Sequence, residues 1–471
     1  MRRFPAHNAG NRGRDMSLRK RIWGWFFFDW ASQPYNTLII TFIFAPYFRE
    51  LYVAEGIGDS ADAQAYWGFA TGLIGLVIAL SAPVLGAISD ISGNRLRWIW
   101  LFSAMYVVGS AMLWFAAPGS FDLFTMIVFF GIGMIGMEFA TIFTDSMLPD
   151  LGTKEEIGRI SGNGWAFGYL GGLLTLVLML VLFAENSTTG KTLIGMDPIL
   201  GLDAGQREGT RFVGPLTAIW YAVFMIPFFL YIRDPKPAQA PKGAVMQALK
   251  GVGQTVRSLP ARPSLFSYLA SSMFYRDALN GMYFFGGIYA SGVLGWSVVF
   301  IGVFGIVAII SGAIFAMIGG RMDEKFGPKP VIKVCILILT FVAISIVLVS
   351  RTSVYGIPVA EGSMLPDVTF FIFGALIGAA GGVIQSASRT MMVRQSNPDR
   401  MTEAFGLYAL SGKATSFLAP TLIGIVTAIS GSQQIGVSPL IFLFLAGLVL
   451  LRWVKAEGDP REWSAPSQPL H

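Results

Sequence analysis

Twelve apolar blocks, most of them roughly twenty residues long, are separated by polar loops and leave this chain little choice of fold. They run at 22–48, 67–88, 98–117, 121–145, 160–183, 213–232, 264–290, 297–319, 331–349, 367–393, 404–430 and 436–453. A bilayer core about 30 Å thick takes ~20 residues of helix. In lipid only helices and closed barrels satisfy their own backbone groups, and these blocks lack the short alternation of barrel strands. The expected fold class is an all-α polytopic membrane protein with twelve transmembrane helices in two six-helix pseudo-repeats. Charge agrees, since only 13% of the 471 residues are Asp, Glu, Lys or Arg, against about 25% in soluble domains.

An even number of spans puts both ends on one side. With the N-terminus in the cytoplasm, only five basic residues fall outside: Arg49, Lys191, Arg207, Arg211 and Arg351. The positive-inside rule therefore predicts both termini cytoplasmic, in an inner (cytoplasmic) membrane. The net charge of +6 is a topology signal. Its basic residues are split among short loops, so no nucleic-acid partner is expected. The tail "MRRFPAHNAGNRGRDMSLRKR" shows no signal-peptide cleavage pattern, and Met16 is a candidate alternative start.

Absences narrow the chemistry. The two histidines, His7 and His471, lie in the tails, and the one cysteine, Cys335, lies in an apolar block. That set builds no Ser-His-Asp triad, Cys-His pair or zinc site and no disulfide framework. "GKT" at Gly190–Thr192 has Glu185 where a phosphate loop needs glycine. No cofactor, metal or ATP site is expected, which leaves ion gradients as the energy source.

Self-comparison divides the chain in two. "GAISDISGNRLR" after the second block overlays "GRMDEKFGPKPV" after the eighth, pairing Gly86 with Gly320, Asp90 with Glu324, Gly93 with Gly327 and Arg95 with Lys329, all at an offset of 234. Asp29, Ser32 and Tyr35 overlay Asp277, Asn280 and Tyr283 at an offset of 248. Two offsets near half the chain argue for a duplicated six-helix unit. The resulting division is a basic tail (1–21), a first bundle (22–232), a polar central linker (233–262), a second bundle (263–454) and a C-terminal tail (455–471).

The repeated G-x-x-x-D-x-x-G-x-R pattern resembles the loop signature of the major facilitator superfamily. A tighter resemblance rests on "DWASQPYNTLIITFIFAPYF", "LPDL" at Leu148–Leu151, "GYLGG" at 168–172, "FYRDALN" in the seventh block and "QSASR" at Gln385–Arg389. These are similar to the vacuole effluxer-like branch, whose relatives include vacuolar amino-acid exporters. Glu324 departs from the usual Asp of the second loop, and Arg276 from an uncharged residue. Physically, the loop glycines let helix ends approach, and Asp90 paired with Arg95 or Arg97 makes a latch that a few kcal/mol opens.

A charge inside a span costs about 2.5–3.5 kcal/mol and must face protein or water. Asp29, Ser32 and Asn36 share a helix face, with Pro34 bending the helix between them. Glu138, Thr141 and Asp145 share another, Asp277 and Asn280 a third, and Gln385 and Arg389 lie on a glycine stripe. These residues sit in spans 1, 4, 7 and 10, which the resemblance implies line a central cavity. Carboxylates from both halves and one arginine suit a zwitterion. The candidate substrate or proton site is Asp29, Ser32, Tyr35, Asn36, Glu138, Asp277, Asn280, Gln385 and Arg389. The candidate gating residues are Gly86, Asp90, Gly93, Arg95, Gly320, Glu324, Gly327 and Lys329.

The expected function is secondary active transport of a small organic solute by alternating access. The resemblance implies amino-acid efflux, with protons as the candidate coupling ion and a monomer as the working unit. Two other classes stand beside it, a membrane-embedded lipid-modifying enzyme and a non-transporting sensor on the same fold. Missing histidines and metal ligands argue against the first, and the absence of a signalling domain against the second.

Overall fold

The computed structural model describes residues 12–233, 243–296 and 298–463. His7 and His471, and the parts of the tails and linker that hold residues 1–11, 234–242 and 464–471, lie outside the described residues. The first half contains α1 (Arg12–Pro34), α2 (Phe44–Ala54), α3 (Ser60–Ser92), α4 (Arg95–Met112), α5 (Leu123–Asp145), α6 (Glu156–Leu178), α7 (Glu208–Arg211), α8 (Val213–Phe224) and α9 (Ile226–Tyr231). A separate helix, α10 (Ala244–Ser258), follows. The second half contains α11 (Pro263–Gly292), α12 (Val298–Phe326), α13 (Pro328–Val347), α14 (Leu365–Gln395), α15 (Met401–Ala414), α16 (Leu418–Ser430), α17 (Gln433–Gly436) and α18 (Pro439–Leu450), and α19 (Pro460–Trp463) is the last helix of the described residues.

Twelve spans result among the described residues, with α1–α2, α7–α9, α15–α16 and α17–α18 each building one. Eleven are long and apolar enough on their own to cross a membrane. The exception is the seventh span, the 30-residue α11, whose Ser267, Ser271, Ser272, Arg276, Asp277 and Asn280 dilute its apolar content. Its polarity is tolerable only because most of these residues are buried against neighbouring helices.

Pro34 does more than bend the first span. There α1 passes into a π-helix, Tyr35–Phe42, and the chain kinks at Ile43 (φ −120°, ψ −63°) before α2. Proline has no N–H to give the Trp30 carbonyl. Trp220 Nε1 on α8 donates to that carbonyl instead, at 3.1 Å. The freed group thus fixes the first span to the sixth.

The polar linker is not a plain connection, because α10 occupies much of it and packs on α3. Its apolar positions recur with the helical period, a pattern that a reading of overall polarity passes over. A two-stranded antiparallel turn, Ser353–Val354 with Ile357–Pro358, caps the loop before α14. Cys335 is free and buried in α13.

The two halves meet along α3 with α15 and along α6 with α12. Glycines let these backbones touch. A methyl at Gly406 on α15 would lie 2.5 Å from the Ala82 carbonyl on α3, and one at Gly162 on α6 would lie 2.5 Å from the Ala316 carbonyl on α12. The two crossings repeat each other, as a duplicated unit requires. Both belong to the end of the bundle where α1 begins and α18 ends.

Candidate functional site

Arg389 on α14 organises the contact between the halves. Its Nη1 donates to Asp145 Oδ1 at 2.8 Å, and Nη2 lies 3.3 Å from Asp29 Oδ2. Nε donates to Ser161 Oγ at 3.0 Å and Nη2 to the Ser161 carbonyl at 3.0 Å. The guanidinium lies 4.5 Å over the Trp25 ring and 5.6 Å from that of Trp165. It is only 3% exposed. Two acids, one serine and two indoles of the first half therefore grip one cation of the second. Gly164 on α6 makes the room, since a methyl there would sit 2.6 Å from Asp29 Oδ2.

A second ion pair lies seven residues away on the same face of α5, about 10 Å by helix rise. Lys413 Nζ, in the last turn of α15, is 2.6 Å from Glu138 Oε1. Both side chains retain some exposure, 25% and 21%. Asn36 lies on the adjoining side, its Nδ2 3.9 Å from Met137 Sδ. Gln385 Nε2 donates to Tyr169 Oη at 3.2 Å, joining α14 to α6. At these contacts the first half presents the acids Asp29, Glu138 and Asp145, and the second half presents the bases Arg389 and Lys413.

Several expected site residues lie elsewhere. Tyr35 is fully buried within the first half, where its hydroxyl donates to the Phe130 carbonyl at 2.7 Å and its ring packs on Tyr106. Ser32 is buried beside it, and its carbonyl accepts from Tyr106 Oη at 3.4 Å. At about 100° per residue Tyr35 lies about 120° around the helix from Asp29, with Ser32 between them, so both turn toward the neighbouring helices of their own half rather than the surface between the halves. Asp277 is buried in the second half, where Oδ2 accepts from the Ala419 N–H at 2.8 Å and caps α16. Asn280 is exposed, so it does not join Asp277. Arg276 stacks 4.0 Å over Tyr408 and donates to that residue's carbonyl at 3.1 Å.

The loop residues also divide their tasks differently from the expected latch. Asp90 and Arg95 do not pair with each other. Asp90 accepts from the backbone N–H groups of Thr402 (3.1 Å) and Glu403 (2.8 Å), capping α15 from the opposite half. Arg95 instead reaches Asp150 at 2.6 Å and the Ser146 carbonyl at 3.0 Å within its own half. Glu324 lies 3.6 Å from Arg159 across the halves. Lys329 donates to the Val454 carbonyl at 2.6 Å. Gly86 and Gly320 are close-approach positions, with a methyl at Gly86 lying 2.5 Å from the Thr402 carbonyl. Gly93 (φ 62°) and Gly327 (φ 80°) take positive-φ backbone conformations that favour glycine.

Residue-type reasoning takes Lys413 for a packing neighbour of an acid rather than a ligand, and passes over Ser161, Trp25, Trp165 and Tyr169. Lys413 carries a usable signal, a lone intramembrane base at the helical break between α15 and α16. The others look like ordinary span residues until α14 is packed against α6.

The family described as "Vacuole effluxer Atg22 like" matches residues 17–463. An uncharacterized MFS-type transporter of Bacillus subtilis, YxiO, is 25% identical over 436 residues, 92% of this chain and 94% of that protein. Autophagy-related protein 22 of Cryptococcus neoformans is 22% identical over 312 residues, 64% of this chain and 51% of that protein. Among solved structures, the proton:xylose symporter XylE superposes with a TM-score of 0.68 at 11% identity, covering 95% of this chain and 98% of that one. A bacterial homologue of the iron transporter ferroportin in an outward-facing state superposes at 0.64 with 14% identity, covering 93% and 99%. These homologues and structural neighbours are major facilitator transporters, not enzymes.

Proposed function

Because this chain belongs to the Atg22-like family of vacuole effluxers, we propose that it exports an amino acid or a similar small zwitterion by alternating access, with proton exchange at its intramembrane acids. As a transporter of the major facilitator type it is an integral membrane protein. The finer reading rests on one observation, the opposed acids and bases of the two halves. The partly exposed Glu138–Lys413 pair offers a zwitterion both partners it needs, Lys413 for the carboxylate and Glu138 for the ammonium. A solute that binds both separates the pair without leaving either charge alone.

The Arg389 cluster serves the second task. It holds two acids against one base at the closed end, so parting the halves withdraws the base from Asp29 and Asp145 together. A proton taken from solution onto one acid then offsets the loss. With both termini in the cytoplasm, as the basic loops favour, the closed end faces the cytoplasm and the site faces outward. A monomer in the cytoplasmic membrane is the working unit, and substrate and protons are its partners.

The test is amino-acid-driven proton movement in proteoliposomes, comparing the parent with Glu138→Gln and Asp29→Asn. Amino-acid flux in the parent that Glu138→Gln removes, and proton movement that Asp29→Asn removes, support the reading. A folded parent that moves no amino acid overturns the substrate, and flux without proton movement overturns the coupling.

A further inference from the structure

The helix between the halves, α10, has an order of side chains around its axis that matches a bilayer edge. At about 100° per residue, Ala248, Gly251 and Thr255 share one side. That side meets the bundle: α10 packs on α3, Ala248 is buried, and Thr255 Oγ1 donates to Glu403 Oε1 at 2.8 Å. Next around the helix come Val245, Leu249, Val252 and Val256. Three of these, with the flanking Met246, are between 45% and 59% exposed. Lys250 and Arg257 follow, and then Gln247 and Gln254, all exposed. The helix contains no acid.

Protein, apolar stripe, basic edge and amide edge is the sequence met by a helix lying along a membrane protein at the headgroup level. Chain connectivity fixes the depth. Only Leu259–Arg262 separate α10 from α11, a membrane span, so four residues limit its distance to about 14 Å. We propose that α10 is an interfacial helix bound by the leaflet on the side of the termini, with its apolar stripe among the acyl chains and Lys250 and Arg257 against anionic lipid headgroups. Bilayer lipid is the occupant that completes the exposed face. The consequence reaches the closed end of the transporter, because Glu403, held by Thr255, is a residue whose N–H donates to the capping carboxylate of Asp90. Anionic lipid that seats α10 stabilises the closed arrangement. The inference rests on the fold and is independent of which solute is carried.

The experiment uses full-length protein with Cys335→Ser, nitroxide-labelled at Leu249→Cys or at Gln254→Cys. It is reconstituted in phosphatidylcholine vesicles with and without phosphatidylglycerol. Oxygen reports contact with acyl chains and a water-soluble nickel chelate reports contact with water. The expected result is several-fold higher oxygen than nickel accessibility at Leu249 and the reverse at Gln254. Phosphatidylglycerol deepens the Leu249 label, and Lys250→Gln with Arg257→Gln removes that dependence. A label at Val256→Cys repeats the reading if Leu249→Cys does not fold. Nickel accessibility at Leu249 equal to that at Gln254 overturns the proposal. So does shielding from both reagents, which assigns the face to a protein segment. Indifference to phosphatidylglycerol overturns the headgroup contact.

Discussion

Lys413 Nζ lies 2.6 Å from Glu138 Oε1 and thereby joins the eleventh span of one half to the fourth span of the other. Neither side chain is fully buried, so each retains some screening. Removing one partner leaves a charge in a span with nothing opposite it, which costs more than the intact pair contributes. Glu138→Gln and Lys413→Gln are each expected to lower stability by about 1–3 kcal/mol, and the double substitution by less than their sum. A double-mutant cycle on thermal unfolding in detergent measures the difference, and strict additivity counts against a direct pair.

Arg389 is the more deeply held base, and Arg389→Lys is not a conservative change. Lysine cannot serve Asp29, Asp145 and Ser161 from one planar fork while lying over Trp25. The closed end is expected to lose about 2–5 kcal/mol of stabilisation. Alkylation of a cysteine placed at Ser146, a buried position that contacts Thr402 of the other half at 3.1 Å, reads the opening. The comparison is made on a Cys335→Ser background with and without Arg389→Lys, and equal rates sink the claim.

Gly406 and Gly162 set how closely the halves approach. A valine at Gly406 meets the Ala82 carbonyl and the Pro83 backbone, groups that cannot move aside as a flexible side chain would. Overpacking of this kind costs about 1–3 kcal/mol, charged here to one conformation only. Gly406→Val is therefore expected to shift the protein toward the opposite arrangement while the fold survives. Distances between spin labels on α3 and α15 check this, with an unchanged distribution as the contrary outcome.

Asp277 acts inside one half. Asp277→Asn weakens the acceptor for the Ala419 N–H and is expected to cost about 0.5–2 kcal/mol, the range of a helix cap. Thermal unfolding reads the loss. Amino-acid affinity should stay within twofold of the parent, on the order of measurement error; a large loss of affinity would return Asp277 to the substrate site.

Glu457 gives the closed end a pH dependence. Partial burial alone would raise its carboxyl, but hydrogen bonds and charge from Lys154 and Arg394 outweigh that and hold it below the usual carboxylate range. Because its folded pKa is depressed, its contribution is present above the unfolded value, about 4.3, and is lost as pH falls through the folded one. Hydrogen exchange around 454–459 is expected to quicken below pH ~4 and to be quick at every pH in Glu457→Gln. Exchange in that variant that still slows as pH rises, after correction for intrinsic rates, rules this out.

Much of the fold was legible because apolar blocks as long as a bilayer is thick admit few structures. Two internal offsets were enough to show the duplication, and Asp29, Glu138 and Arg389 announced themselves by the cost of charge in lipid. The burial of Tyr35 within the first half was not legible, because spacing says which residues share a helix face but not which face meets a neighbouring helix. Nor was the diversion of Asp277 to α16, since Pro420 marks a helix start there but nothing local to it names the side chain of another span that will meet its N–H groups.

The sequence by itself determined that this protein spans a membrane twelve times, in two related halves, with charges that must meet one another or water. Those conclusions depend on composition and period, which are local properties of the chain. Only the tertiary structure decided the partners: Arg389 with Asp29 and Asp145, Lys413 with Glu138, and Asp90 with the start of α15. Each joins residues hundreds of positions apart, and the choice among many possible acids and bases is made by which helix faces the glycine crossings bring into contact.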